Sequence, residues 1–293
     1  MKSLKFFYLI NNIMKHKKII IDIFEKCISD IKFTNSNQNR ILKETDYFSA
    51  YIDFIDNSIH YSRYTTVING HIIKGKYINE KVNKWNKSGI FKLMFERILN
   101  TYKSQYKSNI YHIDGKIVTN KYCIEQDKLG RNIKYKSKNS INVQSIVDNY
   151  GISQGFYILK GSDSEVNKMT DVINEINMPD YNYSNKSNRH KKYFTGDAGY
   201  SSLNNNIFLT KKGYKPLIWY NKRNVQNPDI IEEHKLKGHQ MEKYKNRHII
   251  ENSFSWIETK IPRLSKLYDK KITGYMNMLY TASIDLMLNR ICV

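Results

Sequence analysis

Three acidic residues in this sequence are placed where they could hold metal ions. Asp114 follows an apolar stretch in YHIDGK, Asp197 follows another in YFTGDAGY, and Glu251 lies in a segment with helical periodicity. Hard cations such as Mg²⁺ take oxygen ligands, and two such ions about 4 Å apart can assist phosphoryl transfer. Carboxylates gathered in one site also repel one another, which makes the site costly without a cation. These residue types therefore favour metal-assisted phosphoryl transfer.

Each carboxylate also has an ordinary structural explanation. An aspartate next to a glycine is common in turns, which applies to Asp114 and to Asp197. Glu251 shares a polar helix edge with Arg247, so it could form a solvated ion pair or point towards a neighbouring sheet. The apolar stripe beside that edge consists of Ile250, Phe254, Ile257 and Ile261. Both interpretations stay open on these residues alone.

The net charge favours a polyanionic partner. The 293 residues include 48 Lys and Arg against 27 Asp and Glu, a formal charge of +21. Such an excess is typical of proteins that bind nucleic acid. The abundance of Lys, Asn, Ile and Tyr is equally what an AT-rich coding sequence produces. Charge alone leaves the partner open.

One basic and aromatic stretch is the candidate DNA-binding surface. Lysines and arginines can neutralise phosphates, and aromatic rings can stack on bases. The same pattern also fits an amphipathic strand with its lysines outside. The stretch contains Lys211, Lys212, Lys215, Trp219, Tyr220, Lys222 and Arg223.

The first 105 residues have helical periodicity. We predict helices over 13–32 and 47–59, separated by the polar segment FTNSNQNR, and two further helices joined by a Ser88-Gly89 turn. A helix, a short turn and a helix in a basic context fit a DNA-binding helix-turn-helix, and they also fit ordinary packing. We therefore assign residues 1–105 to a helical region for DNA binding or dimerisation.

From Ser108 the pattern changes to short strands. Strands are predicted in NIYHIDGKIVT, NIKYKSKNSINVQSIVDN and ISQGFYILKG, paired antiparallel, and later in KKYFTGD, IFLT and KPLIWYN. Helices are predicted in SEVNKMTDVINEINM, in EKYKNRHIIENSFSWIETKI up to Pro262, and in ITGYMNMLYTASIDLMLNRI. Residues 106–293 therefore form a predicted α/β domain.

Five ordered segments resemble the DDE transposases of bacterial insertion sequences, in the insertion-sequence-five group. They lie between about Tyr77 and Asn289 and read INEKVNKWNKSGIFKLMFERI, YHIDGKIVTNK, ILKGSDSEVNKM, YFTGDAGYSS, and YKNRHIIENSFSWI followed by RLSKLYDK. The resemblance implies an RNase H-like mixed β-sheet flanked by helices. A small all-α N-terminal region would precede it.

The resemblance also implies roles for single residues. Asp114, Asp197 and Glu251 would be the catalytic residues and would bind two Mg²⁺ ions, or Mn²⁺. Tyr244 and Arg247 would complete a Tyr-x-x-Arg-x-x-x-Glu signature. The implied enzyme is a DNA transposase that cuts the ends of its element and joins their 3′-OH groups to target DNA.

The implied partners are the terminal inverted repeats of the element and the target DNA, bound by a homodimer or a larger assembly. The family often has a lysine seven residues after the glutamate, where this chain has Glu258. Two alternatives stay open: a domesticated DNA-binding protein with weak catalysis, and a metal-dependent nuclease without strand transfer.

The sequence also sets expectations about location. It contains no uninterrupted stretch of about 20 apolar residues, so no membrane partner is expected. We expect a soluble, intracellular protein that acts in the nucleoid, the nucleus or a viral factory, depending on the host.

Overall fold

The structure is a computed structural model that describes residues 2–31, 42–56, 60–133, 136–181, 192–219 and 236–292. The chain divides into two compact units. The helical unit comprises residues 1–105 and 257–293, and the sheet unit comprises residues 106–256. The domain assignment of 1–105 and 106–293 stays a prediction, and it differs from these units in where residues 257–293 fall. No described helix is long and apolar enough to span a membrane.

Helices make up most of the helical unit. They are α1 Lys2–Asp30, α2 Glu44–Asp56, α3 Gly75–Ser88, α4 Ile90–Gln105 and, near the chain's end, α9 Ile272–Ile291. The core is aromatic: the rings of Phe24 and Phe48 stack at 3.8 Å, and Trp85 meets both edge-on. The predicted turn between α3 and α4 is confirmed, since Gly89 ends α3 with a φ of 68° that favours glycine.

The prediction of an all-α N-terminal region is wrong, because this region also contains a β-hairpin. Strands β1 Thr65–Ile68 and β2 His71–Lys74 form an antiparallel hairpin in the helical unit. Both turn residues, Asn69 and Gly70, have positive φ values of 52° and 78°. Asn-Gly is the preferred pair for this kind of two-residue hairpin turn. The Asn-Gly pair between two short apolar runs therefore indicated a hairpin, but the helical periodicity on both sides favoured an all-helical prediction.

In the described part of the sheet unit, six strands form one mixed sheet. They are β3 Ile110–Thr119, β4 Gly130–Asn132, β5 Lys138–Asp148, β6 Ser153–Lys160, β7 Lys192–Gly196 and β8 Tyr214–Ile218. The strands β3, β5 and β6 pair antiparallel as predicted, whereas β7 pairs parallel with both β3 and β8. Both β4 and β6 pair with β5, along different parts of its length. The predicted α/β class with a mixed sheet flanked by helices is confirmed.

Two helices pack on this sheet, α5 Glu165–Glu175 and α6 Leu203–Lys211. The core that they share with the strands includes Ile113, Ile146, Met169, Val172, Ile173 and Leu209. The prediction of a strand in IFLT is wrong, because these residues lie in α6. Ser202 caps that helix by accepting a hydrogen bond from the Asn205 backbone N–H at 3.1 Å. A run of four apolar residues is too short to separate strand from helix by periodicity.

The predicted helix 242–261 is interrupted. The structure has α7 His239–Lys245, a 3₁₀ turn Asn246–His248 and α8 Ile249–Lys260. The angles between residues on the two sides of the 3₁₀ turn therefore differ from those of one continuous α-helix. The predicted apolar stripe is confirmed, since its four residues are buried: Ile250, Phe254, Ile257 and Ile261. The helix ends before Pro262, as predicted.

Candidate active site

The register of two parallel strands sets the positions of the two aspartates. Strand β3 pairs with β7 from Ile110 opposite Tyr193 to His112 opposite Thr195. Asp114 and Asp197 each lie two residues beyond this last pair, so they are level with each other. Neighbouring strands lie about 4.8 Å apart. The fold therefore places the two carboxylates side by side where β7 ends.

Backbone amides orient both carboxylates. The Gly115 N–H donates to Asp114 Oδ1 at 2.8 Å, and the Gly199 N–H donates to Asp197 Oδ1 at 2.7 Å. A β-carbon at position 199 would lie 2.8 Å from Asp197 Oδ1, so glycine permits the close approach. The turn interpretation does not hold for Asp114, because β3 continues through Gly115 to Thr119. Each aspartate has one oxygen held by a following backbone N–H, which belongs to the strand for Asp114 and to the 3₁₀ turn Ala198–Tyr200 for Asp197.

Arg247 supplies the positive charge next to this pair. Its Nη1 lies 3.4 Å from Asp114 Oδ2, with both side chains about one fifth exposed. Tyr244 lies close by, because Arg247 hydrogen-bonds to it and both aspartates act on it electrostatically. Burial raises the pKa of the Tyr244 hydroxyl, and the Arg247 charge lowers it. The structure therefore gathers Asp114, Asp197, Tyr244 and Arg247.

The pKa of Asp114 is raised to about 6, mainly by burial of the carboxyl group. The Gly115 N–H and Arg247 act against this rise, and the nearby carboxylates of Asp197 and Glu165 add to it. A cation bound between the carboxylates would remove that repulsion. The donor set therefore fits a divalent cation.

His112 lies beneath the pair, two residues before Asp114. It is fully buried, and its Nδ1 lies 2.6 Å from Thr195 Oγ1, which precedes Asp197 by two residues. Burial, followed by the charges of Arg247 and His248, lowers its pKa to about 4, so the ring is neutral at neutral pH. His112 is therefore a packed strand residue.

Glu251 lies apart from the gathered residues. It is exposed on α8, four residues after Arg247. Within the described ranges, no three His, Cys, Asp or Glu side chains are grouped so that they could hold a metal ion. Its assignment to a metal-binding triad stays a prediction.

Comparisons with known proteins identify the family. The sequence model of the family described as transposase DDE domain matches residues 105–283, more than half of the chain. The chain belongs to this transposase family. The cryo-EM structure of the piggyBac transposase synaptic complex with hairpin DNA is similar in fold, with a TM-score of 0.51 and 7% identity. That similarity covers 94% of this chain and 72% of the piggyBac chain. No curated protein sequence matches this one.

Sequence reasoning missed a polar network in this transposase, behind the two aspartates. Glu165 Oε1 accepts hydrogen bonds from Asn142 Nδ2 at 2.7 Å and from Gln144 Nε2 at 3.3 Å. Gln144 Nε2 also donates to Asn142 Oδ1 at 2.9 Å, and Gln144 Oε1 accepts from the Tyr200 hydroxyl at 2.6 Å. The available signal was the pair of amides at alternate positions in the strand INVQSIV, whose remaining residues except Ser145 are apolar.

The predicted DNA-binding residues of the transposase fall in different environments. Lys211 is exposed at the end of α6, and Lys215 is half-buried on β8. Lys212 forms an ion pair with Asp180 at 2.7 Å. The ring of Trp219 packs edge-on against Tyr244 at 5.9 Å, next to the gathered residues. The predictions for Tyr220, Lys222 and Arg223 lie outside the described residues.

Proposed function

We propose that this transposase cuts the DNA ends of its element and joins their 3′-OH groups to target DNA. The observation that carries the proposal is the level placement of Asp114 and Asp197 at the edge where β7 ends, within a chain of the transposase DDE domain family. Two adjacent carboxylates with one arginine are suited to bind cations that act on phosphodiesters. The proposed cofactor is Mg²⁺, or Mn²⁺, as two ions.

The proposed third ligand is Glu251, and contacts on either side of it support this role. Arg247, four residues earlier, reaches Asp114. Phe254, three residues later, has its ring 6.0 Å from the Lys116 ammonium, and Lys116 lies two residues after Asp114 on the same face of β3. Glu251 lies in the first turn of α8, between these two contacts in the chain, and its side chain is exposed.

The side chains present would divide the work. When bound, the ions would activate the attacking oxygen and stabilise the leaving oxygen. Asp114, Asp197 and Glu251 would hold them. Arg247 now lies 3.4 Å from Asp114 and partly balances its charge, and it would be free to bind a DNA phosphate once bound cations balance that carboxylate. Tyr244 and Trp219 pack together and would support the arginine.

The proposed partners are the terminal inverted repeats and the target DNA, bound by a homodimer or a larger assembly. The excess of positive charge supports them, as does the family. The piggyBac structure is, by its title, a synaptic complex with hairpin DNA. We assign catalysis to residues 106–293 and DNA binding or dimerisation to residues 1–105, where α3, the Gly89 turn and α4 form the candidate helix-turn-helix.

The experiment measures nicking and strand joining of labelled duplexes that carry the element's own ends, with Mg²⁺ or Mn²⁺. Wild type is compared with Glu251→Gln and with Glu175→Gln, a matched change at an exposed glutamate on α5. We expect metal-dependent nicking and joining in wild type and in Glu175→Gln, and loss of both in Glu251→Gln. Full activity of Glu251→Gln would remove it from the triad.

Two other functions can be distinguished with the same duplexes, and one observation supports the first of them, a DNA-binding relative of transposases. Glu258 stands where the family often has lysine, and it acts electrostatically on the buried Tyr275. If wild type binds the ends tightly without cutting, the protein is a DNA-binding relative of transposases. If it cuts without joining, it is a nuclease.

A further inference from the structure

The carboxylate of Glu165 lies directly behind the main chain of the active-site strand. A β-carbon at position 115 would overlap Glu165 Oε1 and both neighbouring amide side chains, Asn142 and Gln144. Glycine at 115 is therefore needed for this approach. Since consecutive Cα atoms are 3.8 Å apart, Glu165 Oε1 lies within about 8 Å of the Asp114 Cα.

The same network reaches the second aspartate. Tyr200, whose hydroxyl donates to Gln144, lies three residues after Asp197 and is buried. The Asn205 side chain ties this turn to α5 by donating to the Tyr200 and Val166 carbonyl oxygens, each at 2.9 Å. Glu165 is thus fixed relative to Gly115, which follows Asp114 in β3, and relative to the turn that follows Asp197. Its carboxylate cannot move away from them without breaking hydrogen bonds.

We infer that Glu165 is a further functional carboxylate of this site, whose fixed negative charge strengthens the binding of a divalent cation at Asp114 and Asp197. The inference rests on the proposed function. Glu165 also acts electrostatically on Asp114 and on Tyr200. Interactions between partly buried charges are screened by salt much less than those between exposed charges, so the attraction of Glu165 for a cation persists at physiological salt. Glu165 lies behind Gly115 and acts on the site by its charge. It is therefore a positioning residue rather than a catalytic one.

The test is Mn²⁺ binding to the full chain without DNA, followed by the electron paramagnetic resonance signal of free Mn²⁺. The variants are Glu165→Gln and the matched control Glu175→Gln, an exposed residue at the other end of the same helix. We expect Glu165→Gln to bind Mn²⁺ about tenfold more weakly, because it removes one nearby charge, and Glu175→Gln to bind as wild type. Equal affinity of Glu165→Gln and wild type would overturn the inference.

A third variant separates charge from structure. Glu165→Asp keeps the negative charge but draws the carboxylate back from Asn142 and Gln144. We expect it to retain most of the Mn²⁺ affinity, and it carries the test if Glu165→Gln melts below the assay temperature. Equal losses in the aspartate and glutamine variants would show a merely structural role and would overturn the inference.

A kinetic measurement supplies a second readout. We expect Glu165→Gln to need more Mg²⁺ for half-maximal nicking, with an unchanged rate at saturating Mg²⁺. A lowered saturating rate with an unchanged Mg²⁺ requirement would contradict the inference. If the wild type binds no Mn²⁺, the proposed function is overturned as well. If the wild type and Glu165→Gln bind Mn²⁺ equally, only the role of Glu165 is overturned.

Discussion

Asp285 in the helical unit and Asp114 in the sheet unit are both largely shielded from water, but their charges are balanced differently. Asp285 has His16 Nδ1 at 3.0 Å and the Lys260 ammonium at 2.7 Å, the latter by distance rather than as an aligned hydrogen bond. Asp114 has one arginine at 3.4 Å and feels two further carboxylates. The Asp285 carboxylate is thus paired with neighbouring groups, while the under-compensated Asp114 carboxylate is suited to cation binding.

Replacing the basic side chain next to each aspartate, Lys260 next to Asp285 and Arg247 next to Asp114, should give the largest difference between the two units. Lys260→Ala should lower the free energy of unfolding by about 2–3 kcal/mol, because it leaves Asp285 buried with only His16. Arg247→Ala should lower it by less than about 1 kcal/mol, because its pair with Asp114 is longer, at 3.4 Å against 2.7 Å, and therefore weaker. Urea unfolding measures both. A larger cost for Arg247→Ala would contradict this distinction.

Stability should depend on pH through Asp114. Its pKa is about 6 in the folded chain against an ordinary value of 3.8. The folded state therefore binds this proton more tightly than the unfolded state, and the contribution of Asp114 to stability is lost as pH rises from about 4 to 6.

The corresponding experiment compares wild type with Asp114→Asn by urea unfolding across that pH range without metal. The asparagine variant should lack about 1–2 kcal/mol of the fall seen in wild type. If the wild type and Asp114→Asn lose stability equally over this pH range, the pKa of Asp114 is not raised in the folded chain. Saturating Mg²⁺ should reduce the difference, since the cation offsets the repulsion.

The smallest effect should come from two buried tyrosine hydroxyls. Tyr200 donates to Gln144 in the sheet unit, and Tyr275 donates to the Leu264 carbonyl oxygen at 2.9 Å in the helical unit. Replacing either tyrosine by phenylalanine should cost about 1 kcal/mol of unfolding free energy. Only Tyr200→Phe should also raise the Mg²⁺ concentration for half-maximal nicking, about twofold by loosening the network. Equal Mg²⁺ requirements in the two variants would contradict a functional role for the network.

Local patterns explain why several elements could be predicted. The limits of α9, the Gly89 turn and the buried stripe of α8 depend on residues within a few positions of one another. The hairpin at Asn69-Gly70 was equally local but lay between helical segments. The break at Asn246–His248 has no glycine or proline inside it, so the helical pattern runs through it undisturbed.

By itself, the sequence determined that Asp197 follows an apolar strand at a glycine turn, because turn formation depends on adjacent residues. The same pattern favoured a turn at Asp114, but β3 continues through Asp114 and Gly115 to Thr119. Only the tertiary structure decided that the two aspartates lie level, since this depends on the register between β3 and β7, which are distant in the chain. It also decided that Glu165 lies behind Gly115 and that Arg247 meets Asp114. Such contacts join residues far apart in sequence, and no local periodicity encodes them.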